Sequence, residues 1–255
     1  MNYRAFTYLA ALVCAAFSAA PAALAGETRA VVELFTSQGC SSCPPADKLL
    51  GELAKDPSLV VLSLPVDYWD YLGWKDTLAS QGHSNRQRAY SKARGDRDVY
   101  TPQAVINGVV HVLGSDKAAI EKAIAQTQQS ANPLAVPVTM KIAGDKVNVT
   151  VAAGHDSSGN AASAEVWLCP ITDTAPVVVA RGENSGLTLV YHNVVRRWVK
   201  LGDWNGKAET YSIPLSDLPG NGYALNDIDR VGVVLQSGVA AKPGVMLGVA
   251  QARLR

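Results

Sequence analysis

The chain has 255 residues, of which 48% are hydrophobic, and its formal net charge at pH 7 is +1. This composition is typical of a globular protein with one or two domains, and the balanced charge gives no indication of a nucleic-acid partner. The chain also lacks a P-loop, a G-x-S-x-G nucleophile motif and a dinucleotide fingerprint, so no cofactor is predicted.

The first 25 residues have the pattern of a secretory signal peptide. Arg4 supplies a positive start, an apolar run extends from about Phe6 to Ala20, and Ala23-Leu24-Ala25 forms a small-residue cleavage site. The alternative is an uncleaved anchor, but a spanning helix needs about 20 apolar residues. We therefore expect a periplasmic or secreted protein that begins at Gly26 and keeps no membrane span.

Residues 26–130 alternate predicted strands with predicted helices. Apolar runs predict strands, a shared apolar face predicts each helix, and Asn-Gly between two apolar runs predicts a hairpin. These elements are strands at Arg29–Thr36 and Leu59–Val66, helices at Asp47–Leu53 and Ser115–Gln128, two helical stretches within Trp74–Arg94 that break near Gln81-Gly82, and a hairpin around Asn107-Gly108. The order is that of a thioredoxin-like α/β domain.

Residues 131–255 have a different pattern. Short alternating segments such as "KVNVTVAA" and "DRVGVVLQS" are separated by Gly, Asn, Asp and Pro clusters. Several short strands with regular turn signals predict an all-β sandwich domain of immunoglobulin-like type. The predicted fold class is therefore an α/β thioredoxin-like domain followed by an all-β immunoglobulin-like sandwich domain, with the boundary near residues 130–135.

The strongest chemical signal is the C-x-x-C pair Cys40-Ser41-Ser42-Cys43, followed by Pro44-Pro45. A cysteine at a helix start is activated because the helix N-terminus stabilises its thiolate. We expect Cys40 to attack a disulfide and Cys43 to resolve the mixed disulfide, with Ser42 as the helix N-cap. The two prolines remove N–H donors, which predicts only a mild lowering of the Cys40 pKa.

Two alternatives compete with a redox dithiol. The pair could form an inert local disulfide, although a loop this short restricts the unfolded chain very little. It could also be half of a metal site, but zinc or copper would need further ligands. The remaining candidate ligands are scattered without ligand spacing, so no metal is predicted; they are Cys169, His83, His111, His155 and His192.

The thioredoxin-like order implies further site residues. Such folds place a cis proline against the dithiol, and Thr101-Pro102 stands at the matching position, just before an apolar strand. They also carry a buried acid that moves protons, for which Glu33 in the first strand is the candidate; the alternative is an outward-facing strand residue. An aromatic loop supplies candidate substrate contacts, or else ordinary packing: Tyr68, Trp69 and Trp74.

Four segments together resemble a secreted bacterial thioredoxin-like family catalogued as domain of unknown function 1223. They are "VVELFTSQGCSSCPPAD", "PVDYWDYLGWKD", "YTPQAVING" and "RGENSGLTLVYHNVVR". The resemblance covers nearly the whole mature chain and implies no established activity. Compared with thioredoxin, Gly39 replaces the Trp before the first cysteine, and Ser41-Ser42 replaces Gly-Pro, which places the strength of a reductase in doubt.

The sequence therefore predicts an exported thiol-disulfide oxidoreductase that exchanges with protein dithiols or disulfides. The alternative is a non-catalytic thioredoxin-fold binding module that recruits a protein or peptide partner. The binding-module hypothesis predicts that Cys40→Ser is neutral, whereas the oxidoreductase hypothesis predicts that Cys43→Ser traps partners as dithiothreitol-sensitive mixed disulfides through Cys40.

Overall fold

The computed structural model describes residues 28–130, 132–155, 163–220 and 222–254. The predicted signal peptide, residues 1–25, lies outside these ranges. Among the helices within them, none combines the length and the apolar character that crossing a bilayer requires.

The first half of the described chain contains the predicted strands and helices in the predicted order, except that the region Trp74–Arg94 forms one α-helix, beginning at Gln81, instead of two. They are β1 (Ala30–Thr36), α1 (Pro44–Leu53), β2 (Leu59–Pro65), α2 (Gln81–Arg94), β3 (Gln103–Ile106), β4 (Val110–Leu113) and α3 (Lys117–Ser130). Local chemistry sets two of the boundaries. The Ser80 Oγ caps α2 by accepting the Gly82 N–H at 3.2 Å, and Asn107 and Gly108 take positive φ in the turn between β3 and β4.

The second half of the described chain is made of strands. They are β5 (Val138–Ala143), β6 (Lys146–Val151), β7 (Ala164–Val178), β8 (Thr188–Val195), β9 (Val199–Trp204), β10 (Glu209–Pro214), β11 (Arg230–Val239) and β12 (Lys242–Arg253). Strand β6 illustrates why this half of the chain forms strands. Its alternate valines, Val147, Val149 and Val151, are buried in one core, while the residues between them face outward.

The predicted fold class, an α/β thioredoxin-like domain followed by an immunoglobulin-like sandwich, is wrong. The described chain is mostly β, with three α-helices, and a mixed nine-stranded sheet takes strands from both halves in the order β12-β11-β7-β8-β2-β1-β3-β4, with β9 beside β7. The junction is a parallel pairing of β2 with β8, at Ser63 and Val194. A separate three-stranded sheet has the order β10-β6-β5.

Strand β1 lies in the interior of this sheet and is buried on both faces. Ala30, Val32 and Leu34 pack with α1 and α3, whereas Val31 and Phe35 face a second core. That second core includes five buried residues from the second half of the chain: Cys169, Ile171, Val195, Val234 and Met246. The two halves therefore share both a sheet and a core, since an interior strand buries a continuous apolar run.

Candidate functional site

Cys40 and Cys43 form a disulfide with their Cα atoms 5.4 Å apart. Both residues are buried, with 1% and 0% of their surface exposed, while Ser41 and Ser42 between them are exposed. Among the described cysteines, Cys169 is free and lies in the core, where burial raises the pKa of its thiol to about 12. The structure therefore describes the oxidised form of the dithiol with its sulfur atoms covered.

Helix α1 begins at Pro44, and Cys43 is its N-cap. The prediction that Ser42 caps the helix is therefore wrong by one residue. Proline is favoured at the first helical positions because its φ is already helical and the N–H it lacks would have no partner there. The next two N–H groups, of Ala46 and Asp47, donate to the Cys43 carbonyl at 2.8 and 3.1 Å. The first four residues of α1 thus offer no free N–H to a thiolate.

Residues far away in sequence fix the backbone of the dithiol loop. The Gln38 N–H donates to the Asp76 Oδ2 at 2.8 Å, and the Ser41 N–H donates to the Glu183 Oε2 at 3.2 Å. The Asn184 Nδ2 donates to the carbonyls of both Gln38 and Cys40, each at 2.9 Å. Glu183 and Asn184 belong to the β7–β8 loop, residues 179–187, which lies against the dithiol loop.

The predicted aromatic residues also meet this loop. Trp69 lies over Gly39, where an added Cβ would stand 3.0 Å from the Trp69 Cβ, so a large side chain at position 39 does not fit. The Trp69 Nε1 donates to the Thr101 Oγ1, and the Trp74 Nε1 donates to the Gln38 Oε1, both at 2.8 Å. The structure thus brings Trp69 and Trp74 against the dithiol loop, and Thr101 bonds to Trp69.

The remaining predicted neighbours are Pro102 and Tyr68. The Thr101–Pro102 peptide bond is cis, and Pro102 is buried. Its carbonyl accepts the Gly114 N–H at 3.0 Å, which ties it to the end of β4. The Tyr68 hydroxyl donates to the Gln87 Oε1 at 3.1 Å, so its polar end points to helix α2.

The structure does not bring Glu33 together with the dithiol. Glu33 follows Val31 and precedes Phe35 on the face of β1 opposite α1. It is fully buried; its Oε1 accepts from the Arg86 Nε at 2.6 Å and its Oε2 from the Tyr90 hydroxyl at 2.5 Å. Its charge is therefore neutralised inside a hydrogen-bond network on the far side of the sheet.

Sequence reasoning missed two buried acids that lie nearer the dithiol, Asp47 and Asp76. Asp76 accepts N–H bonds from Gln38 and Leu78, both at 2.8 Å, and burial raises its pKa to about 6. Asp47 lies one helical turn after Cys43, and burial raises the pKa of its carboxyl well above the ordinary value. That spacing within a predicted helix was the signal available in the sequence, because residues four apart share a face.

Metal ligands come together elsewhere in the described residues. Ligand atoms of Asp96, Asp98 and His111 lie within 4.8 Å of one another near the surface. However, the Asp96 carboxylate already pairs with Arg94 at 2.6 Å, which accounts for its position without an ion.

The family model described as "Protein of unknown function (DUF1223)" matches residues 31–225. The chain belongs to this family. A crystal structure of protein AGR_C_4864, a structural-genomics target from Agrobacterium tumefaciens, is similar to it. That protein is 35% identical with a TM-score of 0.76, and the match covers 89% of this chain and 94% of the other.

A second solved structure, HBP35 of Porphyromonas gingivalis, is 14% identical with a TM-score of 0.57. The match covers 89% of this chain and 76% of that one. At this identity the likeness is one of fold alone. No curated protein matches the chain.

Proposed function

We propose that this DUF1223 protein is an exported thiol-disulfide oxidoreductase acting through Cys40 and Cys43. The observation that carries the proposal is the disulfide between these cysteines at the first turn of α1. In the reducing direction, a partner thiolate attacks the Cys40 Sγ, the Cys40–Cys43 bond breaks, and Cys43 leaves as a thiol after taking up a proton. A second partner thiolate then releases Cys40 and forms the partner's disulfide.

A purely structural role for the disulfide has little physical support. The bond links residues only three apart, so it removes little entropy from the unfolded chain. The same loop is already held by hydrogen bonds to Asp76, Glu183 and Asn184. A bond that adds little stability at a helix N-terminus is better explained by reactivity.

Burial of both sulfur atoms implies that exchange requires a movement. The β7–β8 loop contacts the dithiol loop through Glu183 and Asn184 and would have to move aside. Trp69 and Tyr71 are stacked with ring centroids 6.5 Å apart, and Tyr71 is 77% exposed. These rings offer an apolar platform beside the dithiol loop for an extended segment of a partner protein.

Export is part of the proposal because the Cys40–Cys43 disulfide forms and persists in an oxidising compartment. The signal-peptide pattern of residues 1–25 supports export, and disulfides persist in the periplasm and outside the cell.

A trapping experiment tests the proposal. Purified reduced protein is mixed with glutathione disulfide, and Cys43→Ser is compared with wild type and with Cys169→Ser as the matched control. We expect Cys43→Ser to accumulate a mixed disulfide at Cys40 that dithiothreitol releases, whereas wild type and Cys169→Ser proceed to the internal disulfide. In cells, Cys43→Ser should also hold periplasmic proteins in dithiothreitol-sensitive adducts.

The proposal fails if wild type reacts no faster than free glutathione and Cys43→Ser forms no adducts in the periplasm. The second candidate, a non-catalytic binding module, is favoured by the burial of Cys40 beside an exposed Tyr71. It predicts that Cys40→Ser leaves partner binding unchanged, while Tyr71→Ala weakens it.

A further inference from the structure

The carboxyl group of Asp47 is placed one turn below the resolving cysteine. The Asp47 N–H donates to the Cys43 carbonyl at 3.1 Å, the ordinary i to i+4 bond of a helix. Side chains at this spacing lie on the same face of the helix and lean towards its N-terminus. The carboxyl therefore stands on the Cys43 side of α1, on the face that packs against β1.

This carboxyl has no bonding partner in the described part of the chain. Asp47 is only 4% exposed, and neither of its oxygens makes a hydrogen bond. The Thr36 Oγ1 lies beside it but outside hydrogen-bond geometry, and the buried Tyr191 hydroxyl is likewise unpartnered. A buried polar group without partners is costly to maintain, which is why such groups call for a functional explanation.

A groove of about 440 Å³ between α1 and β8 reaches Asp47 from the surface. Lys48, Glu52, Lys55 and His192 line its outer part, and Asp47 is the buried acid among its walls. The groove thus brings solvent close to Asp47 from the β8 side, while the carboxyl oxygens themselves are covered.

We propose that Asp47 is the acid-base group of the dithiol, giving a proton to Cys43 when the disulfide is reduced and taking it back when the disulfide forms. The biological use of this proton transfer rests on the proposed function. The transfer itself accompanies any cleavage or formation of the Cys40–Cys43 disulfide.

The proton and the electron pair each have a donor and an acceptor in both directions of the disulfide exchange. When a partner thiolate attacks the Cys40 Sγ, the electrons of the broken S–S bond go to the Cys43 sulfur, which takes the proton of the Asp47 carboxylic acid. The carboxylate is then reprotonated through the groove. In the reverse step, Cys43 returns its proton to the carboxylate, and its sulfur attacks the Cys40 Sγ and displaces the partner as a thiolate.

The surroundings of Asp47 favour its neutral, proton-donating form in the oxidised protein. Desolvation by burial is the largest cause of its raised pKa and outweighs the neighbouring Thr36 hydroxyl, which lowers the pKa; the nearby Asp76 charge adds to the rise. Tyr191 faces the two acids from β8, and Thr36 faces Asp47 from β1. Asp76 is the poorer proton donor because its oxygens already accept the N–H groups of Gln38 and Leu78.

The test is the reduction of the protein's own disulfide by dithiothreitol from pH 5 to pH 9, with each rate divided by the concentration of dithiothreitol thiolate. For wild type, we expect this corrected rate to fall as pH rises and Asp47 loses its proton. Asp47→Asn should be slower by at least about tenfold at pH 6 and should lose that pH dependence. Asp145→Asn is the matched control, the same substitution at an exposed carboxylate in the turn between β5 and β6, away from the groove, and should behave as wild type.

Asp47→Glu serves as the rescue variant because it keeps a titratable group, and it should restore a falling pH profile. Identical corrected profiles for wild type and a folded Asp47→Asn would overturn the inference. The two proposals can fail separately. If the corrected reduction rate depends on Asp47 but the protein traps no partner, the oxidoreductase function is wrong and the proton transfer by Asp47 stands.

Discussion

Glu33 and Asp47 are buried acids on opposite faces of β1, and their surroundings are opposite as well. Glu33 forms an ion pair with Arg86 at 2.6 Å and accepts the Tyr90 hydroxyl. Asp47, on the α1 side, has neither a counter-ion nor a hydrogen bond among the described residues. A paired acid holds two elements together, whereas an unpaired acid is free to exchange its proton.

The comparison teaches that burial alone does not identify a proton-transfer group. Both acids are nearly or fully inaccessible, yet only Asp47 lies one turn from a sulfur of the dithiol and lines a groove to solvent. The partners of each carboxyl, rather than its depth, distinguish a structural role from a chemical one.

The largest expected effect comes from removing Arg86, the ion-pair partner of Glu33. Arg86→Leu leaves the Glu33 carboxylate buried without its cation, so the free energy of unfolding should fall by about 3 kcal/mol. Urea denaturation measures it, with Arg88→Leu, an exposed arginine on the same helix, as the control. A loss below about 1 kcal/mol would mean that Arg86 does not hold the structure in this way.

Replacing Asp47, the buried acid on the α1 side of β1, should instead raise the free energy of unfolding. The folded-state pKa of Asp47 is raised by burial, so the folded protein keeps a proton that the unfolded chain loses above pH 3.8. Stability is therefore lost as pH rises from 3.8 towards the folded-state pKa. We expect Asp47→Asn to stabilise the protein at pH 8, by less than Arg86→Leu destabilises it.

Urea denaturation at pH 3.5 and pH 8 checks this sign. The stabilisation by Asp47→Asn should be much smaller at pH 3.5, where most of the unfolded chain also carries Asp47 in its protonated form. Glu33→Gln should destabilise at pH 8, because the Arg86 guanidinium then loses its counter-ion. If both variants shift stability in the same direction at pH 8, the contrast between the two faces is wrong.

The smallest effect concerns access to the dithiol. Asn184→Ala removes two hydrogen bonds from the β7–β8 loop to the carbonyls of Gln38 and Cys40. Dithiothreitol should then reduce the disulfide about fivefold faster, equivalent to about 1 kcal/mol. Ser185→Ala in the same loop is the control, since its hydroxyl bonds only the Ala180 carbonyl. An unchanged reduction rate for Asn184→Ala would show that this loop does not control access.

Much of the local structure was predictable from the residues. Apolar runs marked β1 and β2, Asn107-Gly108 marked the hairpin, and the two prolines after Cys43 placed the start of α1 to within one residue. The C-x-x-C pair was recognisable, and its disulfide is present. Each of these signals acts over a few residues of the chain.

The remainder of the site depends on contacts between distant segments. Asn184 lies 144 residues from Cys40, and Glu33 meets Arg86 across 53 residues. Periodicity shows which face of a strand is buried but not which element covers it. This is why Glu33 was predicted as the proton-transfer acid and Asp47 was overlooked.

By itself, the sequence determined β1, β2, the hairpin and the position of the dithiol at a helix start, because propensity, proline chemistry and turn residues act locally. Only the tertiary structure decided that both halves share one sheet through β2 and β8, and that Asp47 lies without a partner beneath Cys43. Those outcomes follow from burying apolar surface across the whole chain, which no short segment encodes.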